Sequence, residues 1–303
     1  MNDKNTPPVT GGNSAGFAFL TLAVFSYGGL WPVMREGVEY LPPLWFATTR
    51  VFIGAVVLFA ILAATGRLRF PSRQDMPAIL SVGICMMGLY VSLVHYAVQF
   101  VPAGRGALLA YLTPLFVTPV AVLFLGARLT FLRSSGLALG LGGLFVLFNP
   151  AGFDWSDPNT LLGNGLCLLA AMSWSIAIIQ MRRHRWNLTP LQLGPWQLLV
   201  ATIVALPFAL FLEPRSDWSA DTPMFALVGY GGVIGTAVAM WAVASTIQRL
   251  GAVTTSVGLL GGPVVALTIS VLFQGEALTP TLGGGLVLIL GGIALVTLAQ
   301  NRQ

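Results

Sequence analysis

A stretch of 41 residues occurs twice in this chain of 303 residues, and this repeat constrains the fold most strongly. Residues 103–143 align without a gap on residues 252–292 after a shift of 149 positions. The matches include prolines and glycines in fixed register: Pro114 with Pro263, Gly126 with Gly275, Gly136 with Gly285, and Gly142-Gly143 with Gly291-Gly292. Identical leucines are common in apolar chains, but such prolines and glycines are not. We infer that an ancestral unit was duplicated.

The repeat extends toward the N-terminus of each half with a shift of 147 positions. The further matches are Gly16 with Gly163, Leu22-Ala23 with Leu169-Ala170, Ser26-Tyr27 with Ser173-Trp174, and Pro43-Leu44 with Pro190-Leu191. The sequence therefore predicts three parts. These are an N-terminal tail at 1–13, a first repeat at 14–150 and a second repeat at 151–303.

The repeated unit is built for a membrane, because the chain is too apolar to fold in water. Hydrophobic residues make up 56 % of the sequence and charged residues 8 %, and the mean hydropathy is +0.83. Soluble domains carry about 25 % charged residues. In lipid, only helices and closed barrels satisfy every backbone polar group. The apolar runs extend over about 20 residues without alternating polarity, which favours helices over a barrel.

Apolar runs of this length predict ten membrane spans. Their predicted positions are 14–34, 42–65, 75–98, 103–125, 131–149, 160–181, 190–212, 223–247, 252–273 and 279–299. The connections between them are short, so they leave no room for a soluble domain.

The distribution of basic residues predicts the orientation, since cytoplasmic loops are enriched in Lys and Arg. With a cytoplasmic N-terminus, eleven Lys and Arg residues fall inside and three fall outside, namely Arg35, Arg105 and Arg215. Both termini are then cytoplasmic. Because five spans per half is an odd number, the second repeat must be inverted. The predicted fold is an all-α membrane protein of ten transmembrane helices in two inverted five-helix repeats, a construction common among secondary transporters.

Other classes of partner are disfavoured by the same composition. The net charge of +5 is spread over short clusters between apolar runs, so we expect no nucleic-acid partner. Cys85 and Cys167 lie within apolar runs and give no disulfide or metal framework. We expect no metal and no cofactor. The polar residues 1–13 do not resemble a cleaved signal peptide, so the first span should remain in the membrane.

Several motifs resemble the EamA-type drug/metabolite transporter superfamily. They are the five-plus-five inverted spans, the Ser-Tyr and Ser-Trp pairs at 26–27 and 173–174, and the Gly-Ala-Arg-Leu-Thr and Gly-Glu-Ala-Leu-Thr corners at 126–130 and 275–279. The abundance of Trp and Tyr further resembles YddG-like exporters of aromatic amino acids. The resemblance implies export of Phe, Tyr and Trp across the bacterial inner membrane. It also implies a central cavity between spans 1, 3, 4, 6, 8 and 9, with spans 5 and 10 at the periphery.

Two prolines at matching positions are candidates for a gate. Pro114 and Pro263 are predicted inside their spans, where a proline frees a carbonyl and bends the helix. Gly261 and Gly262 loosen the ninth span beside Pro263. The alternative interpretation is the ordinary tolerance of membrane helices for Pro and Gly.

Aromatic and polar residues within the spans are candidates for a substrate-binding cavity. Aromatic faces stack on an aromatic substrate, and hydroxyl, indole and imidazole groups orient it by hydrogen bonds. The candidates are Tyr27, Trp31, Tyr90, His95, Tyr96, Tyr111, Trp174, Trp241 and Ser245. The alternatives are an aromatic belt at the membrane interface and plain helix packing.

Two further residues have a titratable or charged side chain within a span. His95 has an unperturbed pKa suited to proton relay, but a hydrogen-bonded structural role is the alternative. Arg50 is the only charge deep in the second span, and its repeat position holds the neutral Gln197. An intramembrane charge indicates a functional role with some partner, or a structural role in capping carbonyls. No acidic residue lies deep in any predicted span, so coupling through a buried carboxylate has no carrier.

The sequence thus predicts a multi-pass plasma-membrane transporter that exports aromatic or hydrophobic amino acids by alternating access. The expected partners are a small-molecule substrate and membrane lipids, and the expected state is a monomer, with a dimer left open. Efflux of lipophilic cations is the alternative. A membrane-embedded enzyme would need clustered His, Asp, Glu or Cys at the membrane face. A receptor would give no reason for an inverted repeat.

Overall fold

The structure is a computed structural model, and it describes residues 13–101, 106, 109–110, 112–113, 116, 130–148, 156–183, 187–213, 221–273 and 280–301. Within these ranges the chain is helical and forms no strand. The helices are α1 (Asn13–Gly37), α2 (Pro43–Ala64), α3 (Met76–Ala97), α4 (Phe131–Phe148), α5 (Pro158–Arg183), α6 (Pro190–Leu212), α7 (222–258), α8 (Gly261–Phe273) and α9 (Pro280–Asn301).

Six segments in the described part are long and apolar enough to cross a membrane. They are Ser14–Gly37, Pro43–Ala64, Met76–Ala97, Pro158–Ala177, Pro190–Leu212 and Thr222–Thr246. Each agrees with a predicted span to within a few residues. Shorter apolar helical stretches lie at the predicted fifth, ninth and tenth spans, and most of the fourth lies outside the described residues. The total of ten spans stays a prediction.

Prolines and capping residues determine where several helices begin. Pro43, Pro158, Pro190 and Pro280 each occupy the first position of a helix, where the missing N–H leaves no hydrogen bond unmade. At the start of α6, Thr189 accepts a hydrogen bond from the backbone N–H of Gln192, whose side chain accepts one from the backbone of Thr189. This capping box satisfies two N–H groups that a helix start leaves unpaired.

Helices that are equivalent in the two repeats pack against each other with reciprocal contacts. In the α4–α9 pair, a Cβ atom on Gly143 would lie 2.7 Å from the Gly285 carbonyl oxygen, and one on Gly292 would lie 2.5 Å from the Gly136 oxygen. Gly285 and Gly292 lie 149 positions after Gly136 and Gly143. The early part of each helix therefore touches the late part of the other. The two equivalent helices are antiparallel, and their glycines let the backbones approach closely.

The α2–α6 pair shows the same arrangement. The start of α2 meets the end of α6, because the backbone N–H of Leu44 donates to Glu213 Oε2 over 2.8 Å. Farther along, a Cβ on Gly194 near the start of α6 would lie 3.0 Å from Leu58 Cδ1. These two equivalent helices are antiparallel as well.

Reciprocal contacts also join α3 to α6 and α7 to α2. A Cβ on Gly83 would lie 2.7 Å from Val200 Cβ and 2.8 Å from the carbonyl oxygen of Gln197. Gly232, 149 positions later, packs in the same way on Ile53, at 2.6 Å from its Cβ, and 3.2 Å from the Arg50 oxygen. The packing of the first repeat on the second is thus repeated with the roles exchanged.

Two helices contain π-helical segments that the sequence analysis did not anticipate. They are Ser81–Leu89 in α3 and Val233–Val238 in α7, which occupy the third span of each repeat. The backbone N–H of Tyr90 donates to the Cys85 oxygen five residues earlier, and that of Ala239 donates to the Ile234 oxygen with the same spacing. Such wide turns are often found at functional sites.

The predicted ninth span, 252–273, is not one uninterrupted helix. The chain makes a turn at Leu259–Leu260, after which α8 begins at Gly261. Pro263 is therefore the third residue of a helix and not a mid-helix proline, which corrects the expectation from sequence. In the first turn of a helix, proline removes no hydrogen bond. Gly258, Gly261 and Gly262 are weak helix formers, which explains why the break occurs there.

Candidate functional site

Arg50 lies about two turns into α2 and is 5 % exposed. Its Nε and Nη1 atoms are buried and have no hydrogen-bond partner in the described part of the chain. Its charge interacts electrostatically with the phenols of Tyr27 on α1 and Tyr90 on α3, and with the imidazole of His95 on α3. That Arg50 is an intramembrane charge stays a prediction from sequence.

Aromatic side chains from both repeats surround this charge. The rings of Tyr90 and Trp174 meet edge to face, with centroids 4.5 Å apart. Phe46, one turn before Arg50 on α2, stacks on His95 with centroids 5.6 Å apart. We call Tyr27, Phe46, Arg50, Tyr90, His95 and Trp174 the Arg50 cluster.

The elements that hold the Arg50 cluster come from both repeats. α1, α2 and α3 belong to the first, and α5 with Trp174 belongs to the second. α7 of the second repeat closes the remaining side, because a Cβ on Gly231 would meet Phe46 at 3.4 Å and the Cβ of Arg50 at 3.5 Å. A Cβ at position 231 would thus be in ordinary van der Waals contact with α2, so α7 packs directly on α2 at this level.

His95 is fully buried, and its two ring nitrogens differ. Nδ1 lies 2.7 Å from the Val91 carbonyl oxygen, which requires the proton on Nδ1. Nε2 is buried and has no partner among the described residues. In this tautomer Nε2 is an acceptor, so a ligand group with a donor would satisfy it. Ser92, one turn away, has a buried hydroxyl that also lacks a partner in the described ranges.

Gln197, the repeat equivalent of Arg50, has a different environment. It is buried on α6, and its Nε2 donates to the carbonyl oxygen of Ala78 over 3.4 Å. A neutral side chain at this position thus finds a backbone partner. Arg50 instead places its charge beside phenols and an imidazole, and no acidic side chain of the described residues interacts with it.

Two other sequence candidates, Trp241 and Tyr96, make their ring contacts outside the Arg50 cluster. Trp241 is 38 % exposed and meets Phe19 edge to face at 5.1 Å, two turns of α1 away from Tyr27. Tyr96 pairs with Phe100 at 5.7 Å near the end of α3. Trp31 is buried in the same apolar core as Phe46 of the Arg50 cluster, and Tyr27 and Tyr90 pack against this core.

The remaining candidates lie on or near the end of α7 and the start of α8, or are not described. Ser245 is half-buried on α7, and Gly262 and Pro263 are buried at the start of α8 beside Gly261. A Cβ on Gly28 of α1 would lie 2.8 Å from the Gly262 oxygen, so α8 packs closely on α1. The predicted candidates Tyr111 and Pro114 lie outside the described residues.

Sequence reasoning missed Phe46, Ser92 and Gly231. Phe46 lies four residues before Arg50, a spacing that places both on one face of a helix. That spacing is the signal that could have identified it. Ser92 and Gly231 offer no such signal, because small residues are frequent throughout these spans.

Two carboxylates at the ends of the spans join the repeats. Asp75, before α3, accepts hydrogen bonds from Ser72 and from the backbone N–H groups of Asn187 and Leu188, at 2.6–3.1 Å. Desolvation opposes ionisation, but these hydrogen bonds prevail and lower the pKa of Asp75 to about 2. At the end of α6, desolvation raises the pKa of Glu213 against the hydrogen bonds from Leu44 and Trp45.

The part of the chain that the structure describes contains no group of three or more His, Cys, Asp or Glu side chains able to hold a metal ion. The chemistry that the Arg50 cluster offers is binding: one positive charge, phenolic hydroxyls, an imidazole nitrogen and aromatic faces.

Comparisons with known proteins agree on one family. The profile of the EamA-like transporter family matches residues 14–149 and again residues 161–298. "Uncharacterized transporter YoaV" of Bacillus subtilis is 28 % identical over 91 % of this chain and 94 % of its own. "Uncharacterized inner membrane transporter YedA" of Escherichia coli is 27 % identical over 94 % of this chain and 91 % of its own.

Two further proteins are similar to this one over nearly the whole chain. A protein of Streptantibioticus cattleyicolor named "Probable terminal-alkyne amino-acid exporter" is 25 % identical over 94 % of this chain and 95 % of its own. A solved crystal structure superposes with a TM-score of 0.72 at 23 % identity, over 95 % of this chain and 98 % of the other. This last likeness shows the fold. Since the family profile covers nearly the whole chain, the protein belongs to the EamA-like transporter family and is a multi-pass membrane transporter.

Proposed function

We propose that this transporter exports aromatic and hydrophobic amino acids and related metabolites from the cytoplasm by alternating access. The observation that carries the proposal is the Arg50 cluster, in which aromatic side chains of both repeats meet around buried polar groups. Aromatic rings offer stacking faces to an aromatic substrate, while a few polar groups fix its orientation. The similarity to a probable amino-acid exporter supports this class of substrate.

The architecture that we propose is two inverted five-helix repeats with both termini in the cytoplasm. The antiparallel packing of α2 on α6 and of α4 on α9 supports inversion, because these pairs are equivalent in the repeats. The two separate matches of the family profile support the division near residue 150. The protein lies in the plasma membrane, in keeping with the inner-membrane relative. We propose a monomer, because the glycines of α4 that would let another helix approach closely already pack on α9 of the same chain.

The gate that we propose lies where α8 begins. Gly261, Gly262 and Pro263 follow a break in the helical path, and Gly262 packs directly on Gly28 of α1. A broken helix at a close contact can change direction without disrupting a continuous ladder of hydrogen bonds. Rocking of one repeat against the other would use this break to open one side of the site.

Efflux of lipophilic cations, the alternative substrate class, is less compatible with the site. The charge of Arg50 is positive, and no acidic side chain in the described part interacts with it. A cation entering the Arg50 cluster would meet a like charge in a medium of low dielectric constant.

The test is transport by the pure protein in liposomes with a panel of labelled Phe, Tyr, Trp and one lipophilic cation. We expect flux of the aromatic amino acids that empty liposomes lack. Trp174→Ala should lower the apparent affinity about tenfold, since an aromatic contact contributes about 0.5–1.5 kcal/mol beyond burial. Trp196→Ala is the matched control, because Trp196 packs on Phe59 and Phe70 and donates to the Arg69 oxygen instead. Flux of the cation alone would contradict the proposal.

A further inference from the structure

Among the described residues that interact with Arg50, none carries a charge that balances it. The side chain is 95 % withdrawn from solvent, given its exposure of 5 %. Its electrostatic neighbours are phenols and an imidazole, and two of its three nitrogens have no hydrogen-bond partner in the described ranges. A buried charge without a partner is strongly unfavourable. A transporter that retains one therefore gains from a ligand that brings the opposite charge.

The comparison with Gln197 argues against a purely structural role. Gln197 occupies the equivalent position in the second repeat and satisfies its amide on the Ala78 carbonyl. Both positions pack in the same way, with Gly232 on the Arg50 oxygen and Gly83 on the Gln197 oxygen. The packing therefore accepts a neutral side chain, and the guanidinium serves something other than the contact between α2 and α7.

We infer that Arg50 binds the carboxylate of the substrate. This inference rests on the proposed function and specifies which chemical group of the substrate the site binds. A guanidinium presents parallel N–H donors that match the two oxygens of a carboxylate. One positive charge balances one negative charge, whereas a phosphate would call for several cations. The phenols of Tyr27 and Tyr90 lie in the same electrostatic environment and are suited to donate to carboxylate oxygens.

The apolar part of the ligand then faces the aromatic side of the cluster. Trp174 and Tyr90 form one wall, and Phe46 stacked on His95 forms another. Among the described residues, no carboxylate interacts with Arg50, so an ammonium group finds no acid here. The site should therefore select aromatic carboxylates, with the ammonium of an amino acid contributing less than its carboxylate.

Binding to the full-length protein in detergent tests this inference with three probes that differ in one group each. L-phenylalanine has both charged groups, 3-phenylpropionate lacks the ammonium, and phenethylamine lacks the carboxylate. We expect the wild type to bind L-phenylalanine and 3-phenylpropionate and to bind phenethylamine much more weakly. Arg50→Gln should lower the affinity for 3-phenylpropionate about 10- to 100-fold, the range for hydrogen bonds to a charged group.

Two controls separate binding from folding. Arg35→Gln makes the same chemical change at an exposed arginine that donates to the Val98 oxygen, and it should leave binding unchanged. Arg50→Lys keeps the charge without the paired donors, and should bind 3-phenylpropionate with an affinity between those of the wild type and Arg50→Gln. Without ligand, Arg50→Gln should melt at the same or a higher temperature than the wild type, because it removes an unbalanced charge.

Three results would overturn the inference: failure of the wild type to bind 3-phenylpropionate, equal binding by Arg50→Gln, or a lower melting temperature of unliganded Arg50→Gln with binding retained. The proposed substrate is judged separately by liposome flux. If the protein binds 3-phenylpropionate through Arg50 but does not transport Phe, Tyr or Trp, the carboxylate site is supported and the proposed function is contradicted.

Discussion

Asp75 shows how one side chain joins two connections of the fold. Its two oxygens accept four hydrogen bonds, which link the loop before α3 to the loop before α6. Asp75 is fully buried although it lies outside the apolar part of the helices. Sequence alone does not reveal this link, because Asn187 and Leu188 lie more than a hundred residues away from Asp75.

The depressed pKa of Asp75 predicts a sign for the pH dependence of stability. A folded pKa of about 2 lies below the unfolded value of about 3.9. The stabilisation is therefore complete above about pH 4 and declines as the pH falls toward 2. We expect Asp75→Asn to melt below the wild type by a constant amount between pH 5 and 8, and the gap to narrow below pH 4. Thermal unfolding in detergent over this pH range measures the difference in melting temperature. A difference that widens below pH 4 would contradict the lowered pKa of Asp75.

At the scale of helices, the glycine seam between α4 and α9 is the tightest contact between equivalent elements. Gly292→Ala should lower the free energy of unfolding by about 1–3 kcal/mol, because the new Cβ would lie 2.5 Å from a backbone oxygen that cannot move aside. Gly284→Ala in the same helix has nothing within 4 Å of its Cβ and should be neutral or slightly stabilising. Denaturation of the two variants in one detergent makes the comparison. Equal free energies of unfolding for the two variants would contradict this close contact between α4 and α9.

The break before α8 predicts an effect on transport and not on folding. Pro263→Ala supplies a backbone N–H with which the helix can continue through the turn at Leu259–Leu260. Transport per folded molecule should then slow severalfold, because the break before α8 would be less pronounced. Pro207→Ala provides the control, since Pro207 lies inside α6, away from the break. Flux normalised to protein in the membrane is the readout. An unchanged rate for Pro263→Ala would exclude the hinge.

The positions and pairing of the helices follow largely from the sequence, whereas the contacts of individual side chains do not. The shifts of 147 and 149 positions identify which helices and glycines meet, because equivalent surfaces face one another across the repeat. Apolar length alone located the six long apolar helices of the described residues. The Arg50 cluster depends on the rotation of each helix, and apolar helices carry no polar stripe that would reveal it. That is why Trp241 and Tyr90 looked equivalent in sequence but lie in different environments. The π-helical segments, which shift side chains on α3 and α7, have no sequence signal of their own.

At the scale of the whole molecule, inversion predicts on which side each loop lies. With both termini in the cytoplasm, the loop after α1 is external and the loop after α2 is cytoplasmic. In a variant without Cys85 and Cys167, a membrane-impermeant maleimide should label Glu39→Cys in intact cells and Arg69→Cys only after permeabilisation. Both residues are exposed, so access depends on sidedness alone. Labelling of both in intact cells would contradict the topology.

The central claim is that this molecule moves aromatic amino acids outward through a site centred on Arg50. Inside-out membrane vesicles test it directly, because entry of labelled phenylalanine into them corresponds to export from the cell. We expect vesicles with the wild type to fill faster than vesicles without the protein, and Arg50→Gln to lose most of the difference at low phenylalanine concentration. Equal filling of vesicles with and without the wild-type protein would contradict the account.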